Sequence, residues 1–313
     1  MTILAPLLRS SVQTWECDDM GHMNVQFYVA KANEGLDVLA HHLGFGPTQA
    51  RTPGNGAGTA GAILLPREHH IRFHREQRPG APLTLEGSVT GREGDTLKVY
   101  EELTNTASGV VAATINADVV LADAATRARL ALPGVMDEAI DNMMTDVPPH
   151  GQARGLEMGP AVDAPALAQA DDMGLVYTWQ GVVKPAQCDM HGFMLQQHFM
   201  GLVSDSIPNL LSQTRGDDRS SDPNIGGAAL EYRFVYRQWP RVGDILTLRS
   251  GLKHVGPKTY TWAHWMFDVE TGKAVATAEA VAVTLDLVAR RAIGIPDAMR
   301  AHLESKLVPG IGA

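Results

Sequence analysis

The stretches CDDMGHMNVQFY at residues 17–28 and CDMHGFMLQQHF at residues 188–199 are two versions of one pattern. At a constant offset of 171 residues (188 minus 17), they share a cysteine, an aspartate and a glycine: Cys17 with Cys188, Asp18 with Asp189 and Gly21 with Gly192. The two copies also share a methionine and a glutamine, and an aromatic residue ends each stretch. The chain therefore contains the same unit twice, and the Asp-x-x-Gly pattern marks one place in both.

A second repeated stretch fixes the extent of the duplication. Residues 95–123 align without a gap on residues 258–286, at an offset of 163 (258 minus 95), so the second copy is eight residues shorter between the two stretches. A chain of 313 residues is long enough for two domains that each bury a core. We predict a first domain at 1–132, a Pro- and Gly-containing linker at 133–175 and a second domain at 176–313.

The composition limits the class of protein. With 44% apolar and 19% charged residues the chain is typical of globular proteins, and its formal net charge of −9 argues against a nucleic-acid-binding surface. The only two cysteines have no metal-ligand spacing, so we predict neither a metal site nor a cofactor. No signal peptide and no apolar stretch of about 20 residues is evident, which favours a cytoplasmic protein without a membrane span.

Each half has the same order of predicted elements: the Asp-x-x-Gly turn, one helix, a glycine-containing loop and a run of strands. The predicted helices cover 23–45 and 194–216, and Pro208 should kink or restart the second one. The loop at 45–62 is rich in glycine. Strands are predicted at 83–89, 97–103, 259–269 and 274–285, with hairpin turns at 104–109 and 268–273. This order predicts a helix with an antiparallel sheet in each half.

Asp18 and Asp189 are the first candidates for chemistry. Each lies three residues before a glycine at the start of a helix, where unpaired amides and the helix dipole favour negative charge. A carboxylate at such a place can attack a carbonyl or activate water, and the amides can stabilise an oxyanion. It can equally cap the helix or brace the turn. Both interpretations stay open from position alone.

The wider pattern D-x-x-G-H-M-N at 18–24, followed by a long helix, resembles the hot-dog acyl-CoA thioesterases of the 4-hydroxybenzoyl-CoA type. The segment at 69–89 is similar to that family's strand–x-R-P-G–strand passage, and 232–251 repeats it. The resemblance covers roughly residues 10–125 and 177–290. It implies an α+β protein of two hot-dog domains in tandem, each an antiparallel sheet wrapped around a long central helix, packed as a pseudo-dimer.

The resemblance also implies roles for residues of the turn. The family's catalytic carboxylate maps onto Asp18 and Asp189, and its oxyanion amide onto the backbone around Asn24 and Val25. His22 either orients the turn or contacts the thioester. In the second copy Phe193 replaces His22 and Leu195 replaces Asn24. We therefore expect one working site, at Asp18.

Substrate-binding residues are less clearly marked. Some hot-dog thioesterases use a carboxylate on the helix as a base, which makes Glu34 a candidate. On the long strands His70 and Arg233 are equivalent positions that could line a cleft, and Arg72 and Arg237 could bind the phosphates of coenzyme A. A solvated strand face would explain the same residues.

The function that the resemblance implies is hydrolysis of an acyl-CoA thioester to a free acid and CoA, with acyl-CoA as the partner molecule. Two alternatives remain: a hot-dog enoyl-CoA hydratase or dehydratase, and an acyl-CoA-binding module without catalysis. A homodimer of two tandem chains is the assembly that we consider. The acyl group cannot be derived from the sequence, because pocket depth depends on side chains that sequence does not place.

Overall fold

The structure is a computed structural model of the chain, and it describes residues 4–44, 61–214, 225–289 and 291–313. The chain divides into two compact units. Unit 1 comprises residues 1–152 with 196–200, and unit 2 comprises residues 153–195 with 201–313. Each unit is described separately below.

Unit 1 contains a five-stranded antiparallel sheet and one long helix. Its elements are β1 (Ala5–Ser11), α1 (Val25–His42), β2 (Ala62–Phe73), β3 (Pro82–Glu93), β4 (Thr96–Asn105), β5 (Val110–Asp123) and the short α2 (Asp137–Asn142). The strands lie in the order β1-β3-β4-β5-β2. Gly109 closes the β4–β5 hairpin with φ of +69°, a backbone conformation that only glycine adopts without strain. The predicted turn at 104–109 is therefore confirmed.

Helix α1 packs its apolar side against the sheet. Its buried residues include Val29, Leu36 and Leu39, and the ring of Tyr28 contacts the ring of Phe73 on β2 edge to face, with the centroids 5.0 Å apart. Because successive side chains of a strand point to opposite faces, Ile71 and Phe73 face α1, whereas His70 and Arg72 face away. The hydrophobic core of unit 1 lies between α1 and this face.

Unit 2 repeats this arrangement. Its elements are α3 (Leu167–Asp172), β6 (Val176–Val182), α4 (Gln196–Thr214, whose first five residues group with unit 1), β7 (Ile225–Tyr236), β8 (Ile245–Val255), β9 (Thr259–Asp268), β10 (Ala274–Asp286), β11 (Arg291–Ala292) and α5 (Asp297–Glu304). The strand order β7-β10-β9-β8-β6 contains the equivalents of β2, β5, β4, β3 and β1 in turn, and β11 pairs with β10. Trp262, Trp265 and Phe267 of β9 are buried. The duplication seen in the sequence is thus a duplication of fold.

Several expectations need correction. Of the predicted kink or restart at Pro208, the restart does not occur, because one helix, Gln196–Thr214, continues through this residue. Strands β1, β6 and β11 and helices α3 and α5 were not predicted. Most of the predicted glycine-rich loop, residues 45–60, lies outside the described residues. In the described part of the chain, no helix is long and apolar enough to cross a membrane.

Candidate active site

The Asp-x-x-Gly turn of unit 1 is the tip of a small hairpin that leads directly into α1. The amide of Asp18 donates to the carbonyl of His22 at 2.8 Å, and the amide of Asn24 donates to the carbonyl of Glu16 at 2.8 Å. At the tip, Gly21 has φ of +73°. Oδ1 of Asp18 accepts hydrogen bonds from the amides of Met20 at 3.0 Å and His22 at 3.1 Å. Both bonds end on Oδ1, and Oδ2 accepts neither of them. The Asp18 side chain is exposed.

The first turn of α1 presents one amide beside this hairpin. The side chain of Asn24 caps the helix: its Oδ1 accepts from the amide of Gln26 at 3.1 Å. The amide of Asn24 is occupied by Glu16. Between these two, the amide of Val25 takes part in none of the hydrogen bonds found among the described residues. An amide of this kind, at the positive end of a helix dipole, can donate to an oxyanion. Of the two amides expected at an oxyanion site, that of Asn24 is bonded to Glu16, whereas that of Val25 has no bond within the described residues.

His22 has a partner that sequence reasoning missed. Its ring nitrogen Nε2 lies 3.3 Å from Oε2 of Glu76, which follows β2. The histidine ring is buried, whereas the carboxylate is half exposed. The contact exists because the amide of Met23 donates to the carbonyl of Gln77 at 2.8 Å and fixes the segment after β2 against the turn. The only sequence signal for Glu76 is its place within the strand–x-R-P-G passage.

Tyr28 lies beneath the same turn. Burial raises the pKa of its phenol; a backbone hydrogen bond with Gln77 opposes this, and the negative charges of Glu76 and Asp18 raise the pKa further. Its hydroxyl therefore stays protonated. Burial, followed by the charges of Asp18 and Glu16, likewise raises the pKa of the Cys17 thiol, which removes it as a candidate nucleophile at neutral pH.

The turn of unit 2 has the same backbone but different side chains around it. Oδ1 of Asp189 accepts from the amides of His191 at 2.9 Å and Phe193 at 3.0 Å, and Gly192 has φ of +82°. The guanidinium of Arg241 stacks 4.5 Å above the ring of Phe193 and donates to the carbonyl of His191 at 3.2 Å. Phe193 is the equivalent of His22 in unit 1, and Trp239 is the equivalent of Glu76. The ionisable pair of unit 1 is thus replaced by two aromatic residues.

The structure does not bring His70 and Arg72 to the Asp18 turn. Both lie on the face of β2 that points away from α1, where the segment before residue 152 covers them. Nη1 of Arg72 donates to the carbonyls of His150 at 2.8 Å and Gln152 at 2.6 Å. Nδ2 of Asn116 bridges Nδ1 of His70, at 3.2 Å, and the carbonyl of Gly151, at 2.8 Å. These side chains hold the linker against the sheet.

Arg233 and Arg237 play the same part in unit 2. Nη2 of Arg233 donates to the carbonyl of Gly159 at 2.7 Å, and Nη2 of Arg237 to that of Val162 at 2.8 Å. The last predicted residue, Glu34, is exposed on α1. Its equivalent on α4, Asp205, accepts a hydrogen bond from Nε1 of Trp179 at 2.8 Å. Within unit 1, the predicted residues Asp18, His22, Asn24 and Val25 lie together at the turn.

The described residues contain no group of three or more His, Cys, Asp or Glu side chains placed to hold a metal ion. The chemistry available at the turn is that of its carboxylates, its histidine and the helix amide.

Comparisons with known proteins identify the family and the fold. The model of a thioesterase-like superfamily matches residues 12–140 and 183–303. No curated protein matches the chain. Its fold is similar to that of an acyl-ACP thioesterase from Bacteroides thetaiotaomicron, with a TM-score of 0.63 at 11% identity over 89% of this chain and 97% of the other.

Two further structures have similar folds over most of their length. A protein assigned as an oleoyl thioesterase, from Lactobacillus plantarum, has a TM-score of 0.66 at 12% identity over 91% of this chain and 97% of the other. A 12:0-ACP thioesterase from Umbellularia californica has a TM-score of 0.63 at 13% identity over 88% and 93%. These identities establish similarity of fold. Because the family model matches both halves and together most of the sequence, the chain belongs to the thioesterase-like superfamily.

Proposed function

We propose that the protein hydrolyses an acyl-CoA thioester at the Asp18 turn of unit 1. The observation that carries this proposal is the combination of an exposed carboxylate, held through one oxygen only, with the neighbouring amide of Val25 at the start of α1. The carboxylate can supply or activate a nucleophile, and the amide can stabilise negative charge on the thioester oxygen. Membership of the thioesterase-like superfamily supports thioester hydrolysis as the reaction class.

Two routes use the same atoms. In the first, Oδ2 of Asp18 attacks the thioester carbon, the C–S bond breaks, and water then hydrolyses the resulting anhydride. In the second, Asp18 takes a proton from a water molecule while that water attacks. Either route gives the free acid and the CoA thiol. In both, the developing oxyanion would accept a hydrogen bond from Val25, and the fixed Oδ1 bonds would keep Oδ2 directed at the substrate.

We infer that coenzyme A is the carrier. Arg75 and Arg78 are exposed on either side of Gln77, whose carbonyl accepts the amide of Met23 next to the turn. Arginine is well suited to phosphate, and these cations lie beside the site in a protein whose net charge is −9. Release of thiol from acyl-CoA supports this inference. Hydrolysis of carrier-protein thioesters alone, with acyl-CoA left intact, would contradict it.

The test of the catalytic assignment uses three variants and detection of free thiol. Asp18→Asn keeps an oxygen that can accept both turn amides but removes the negative charge, so we expect kcat/KM to fall by about 100-fold or more. Asp18→Ala removes the turn's hydrogen bonds as well. Asp189→Asn is the matched control, since it makes the same change in the same backbone turn of unit 2, and we expect it to leave the rate unchanged.

Three other outcomes would contradict the proposal. Full activity in folded Asp18→Asn would rule out Asp18 as the catalytic group. Loss of enoyl absorbance without thiol release would assign a hydratase. Tight binding of acyl-CoA with neither reaction would assign a binding module.

A further inference from the structure

A buried carboxyl lies beneath α1 in unit 1. Glu101 of β4 is fully buried, and among the described residues neither of its oxygens has a hydrogen-bond partner. It shares the helix-facing side of the sheet with Leu85 and Ile115. Gly35 of α1 lies directly over it, because a Cβ at Gly35 would overlap Oε1 of Glu101. The helix therefore has a glycine, which has no side chain, at the point where the carboxyl of Glu101 approaches it.

Such a group is unfavourable without a partner. Removing a carboxyl from water without replacing its hydrogen bonds destabilises the fold, and buried polar groups are therefore almost always paired. Burial also raises the pKa of Glu101 well above its ordinary value, which favours the neutral acid, and a neutral carboxyl can both donate and accept a hydrogen bond. Apolar side chains would fill the same space at lower cost. A buried ionisable group with this environment is a candidate for a ligand contact.

Unit 2 shows how the same position is occupied when the chain supplies a partner. His264 of β9 is the equivalent of Glu101 and is also buried. Its Nδ1 lies 2.8 Å from Oγ of Ser250, which lies 3.3 Å from Oγ1 of Thr178. Nε2 of His264 has no hydrogen-bond partner among the described residues. A polar chain from β6 through β8 therefore holds one side of this histidine.

Unit 1 lacks that polar chain. Gly87 pairs with Glu101 as Ser250 pairs with His264, and Leu7 takes the place of Thr178 at the bulge of the edge strand. A Cβ at Gly87 would lie 3.1 Å from Cγ of Glu101 and 2.6 Å from Leu7, so there is no room for a serine. Neither neighbour can bond the carboxyl. Among the described residues of unit 1, no side chain supplies a partner for the carboxyl.

The spacing of strands and helix gives the distance from the Asp18 turn to the carboxyl. Phe73, which contacts Tyr28, lies in one row across the sheet with Leu103, and Glu101 lies in the next row, about 7 Å further along. Along the helix, Gly35 is ten residues after Val25, which corresponds to about 15 Å. An acyl chain of medium length that starts at the helix N-terminus can span this distance.

We propose that the acyl group of the substrate enters between α1 and β4, and that Glu101 binds a hydrogen-bond-donating substituent, a hydroxyl or an amino group, at its far end. This proposal rests on the proposed function, because it places the thioester at the Asp18 turn. It assigns the substrate class as acyl-CoA with a polar distal group. The carboxyl left without a partner in the free protein gains one in the complex.

The test compares paired substrates of equal length. Hexanoyl- to dodecanoyl-CoA are assayed beside their ω-hydroxy and ω-amino derivatives, with the wild type, Glu101→Gln and Glu101→Leu. For at least one length, we expect the wild type to favour a polar substrate by about tenfold or more in kcat/KM. Glu101→Leu should abolish or reverse this preference, and Glu101→Gln should keep part of it. Glu102→Gln is the matched control, since Glu102 points to the other face and bonds His150.

The failure of this proposal differs from that of the catalytic assignment. Binding of thioether analogues, which cannot be hydrolysed, is measured by calorimetry with the same variants. A polar preference that depends on Glu101 in binding supports the proposal even if Asp18→Asn remains active. An equal polar-to-alkyl ratio in the wild type and Glu101→Leu at every length would overturn it. Circular dichroism checks the fold, and Glu101→Gln provides the comparison if the leucine variant is unfolded.

Discussion

Nε2 of His22 and Oε2 of Glu76 lie 3.3 Å apart at the edge of the Asp18 turn. The amide of the same histidine donates to Oδ1 of Asp18 at 3.1 Å. One residue therefore connects the candidate catalytic carboxylate, through its backbone, with a second carboxylate, through its ring. In unit 2 the turn keeps the backbone bond, but Phe193 and Trp239 take the two side-chain positions. This contrast suggests a test of what the pair contributes.

Replacing His22 by phenylalanine copies the unit 2 side chain into unit 1. The backbone hydrogen bonds to Asp18 remain, so the turn should persist, while the ring nitrogen beside the proposed thioester site is lost. We expect kcat for thiol release to fall by about tenfold or more, with a smaller change in KM. Glu76→Gln should have a weaker effect in the same direction, because the ring keeps its place but loses its charged partner. Steady-state kinetics with free-thiol detection measures both.

The reverse change, Phe193→His, is the matched control and should leave the kinetics unchanged. Equal kcat in folded His22→Phe and the wild type would mean that the ring only fills space. Equal losses from His22→Phe and Phe193→His would point instead to a shared effect on stability.

The turn and its helix were predictable because their determinants are close together in sequence. Asp18, Gly21 and the following helix lie within one short stretch, and Asn24 is a typical N-cap. The duplicated strands were predictable for the same reason, since each hairpin carries its own turn glycine. Contacts between segments that are distant in sequence were not predictable. Glu76 reaches His22 only because Met23 bonds Gln77 across the domain.

The strand residues show the second limit. In KVYEEL, residues 98–103, two glutamates stand side by side. The alternation with Val99 and Leu103 puts Glu101 on the apolar face, but nothing in the sequence tells which helix residue lies over it. The pairing of β4 with β3 and β5 puts Glu101 beneath Gly35 and turns Glu102 towards His150. Arg72 was interpreted as a phosphate ligand for a similar reason. The linker that covers it lies far along the chain.

The linker contact of Arg72 makes a further prediction. Arg72→Ala removes two hydrogen bonds to the carbonyls of His150 and Gln152, which should lower the free energy of unfolding by about 1–2 kcal/mol. Cleavage of the segment around residues 149–152 by a protease should become faster. We expect KM for acyl-CoA to stay unchanged, because the side chain faces away from α1. Limited proteolysis and kinetics on one preparation measure all three quantities.

Arg75→Ala is the comparison for Arg72→Ala. Arg75 is exposed beside the turn, so its loss should raise KM without exposing the linker to protease. A raised KM in Arg72→Ala, with the linker as resistant to protease as in the wild type, would indicate instead that Arg72 binds the substrate.

The buried carboxyl of Glu101 predicts a pH dependence of stability. Its ordinary pKa of 4.5 applies to the unfolded chain, and burial raises the pKa well above that value in the fold. Between these two values the folded protein binds one proton more than the unfolded chain, so stability falls as pH rises. Below pH 4.5 the group is protonated in both states, and its contribution to stability is fully present.

Glu101→Gln cannot ionise and should not show this loss. The difference in unfolding free energy between Glu101→Gln and the wild type should therefore move in favour of the variant as pH rises from 5 to 8, by at most about 1.4 kcal/mol for each pH unit. Urea unfolding of both proteins across this range measures the difference. Glu101→Met, which is apolar and similar in size, should follow the same trend. Parallel stability curves for wild type and both variants would mean that the carboxyl is ionised and solvated in the folded protein, which would also remove the basis for a polar contact beneath α1.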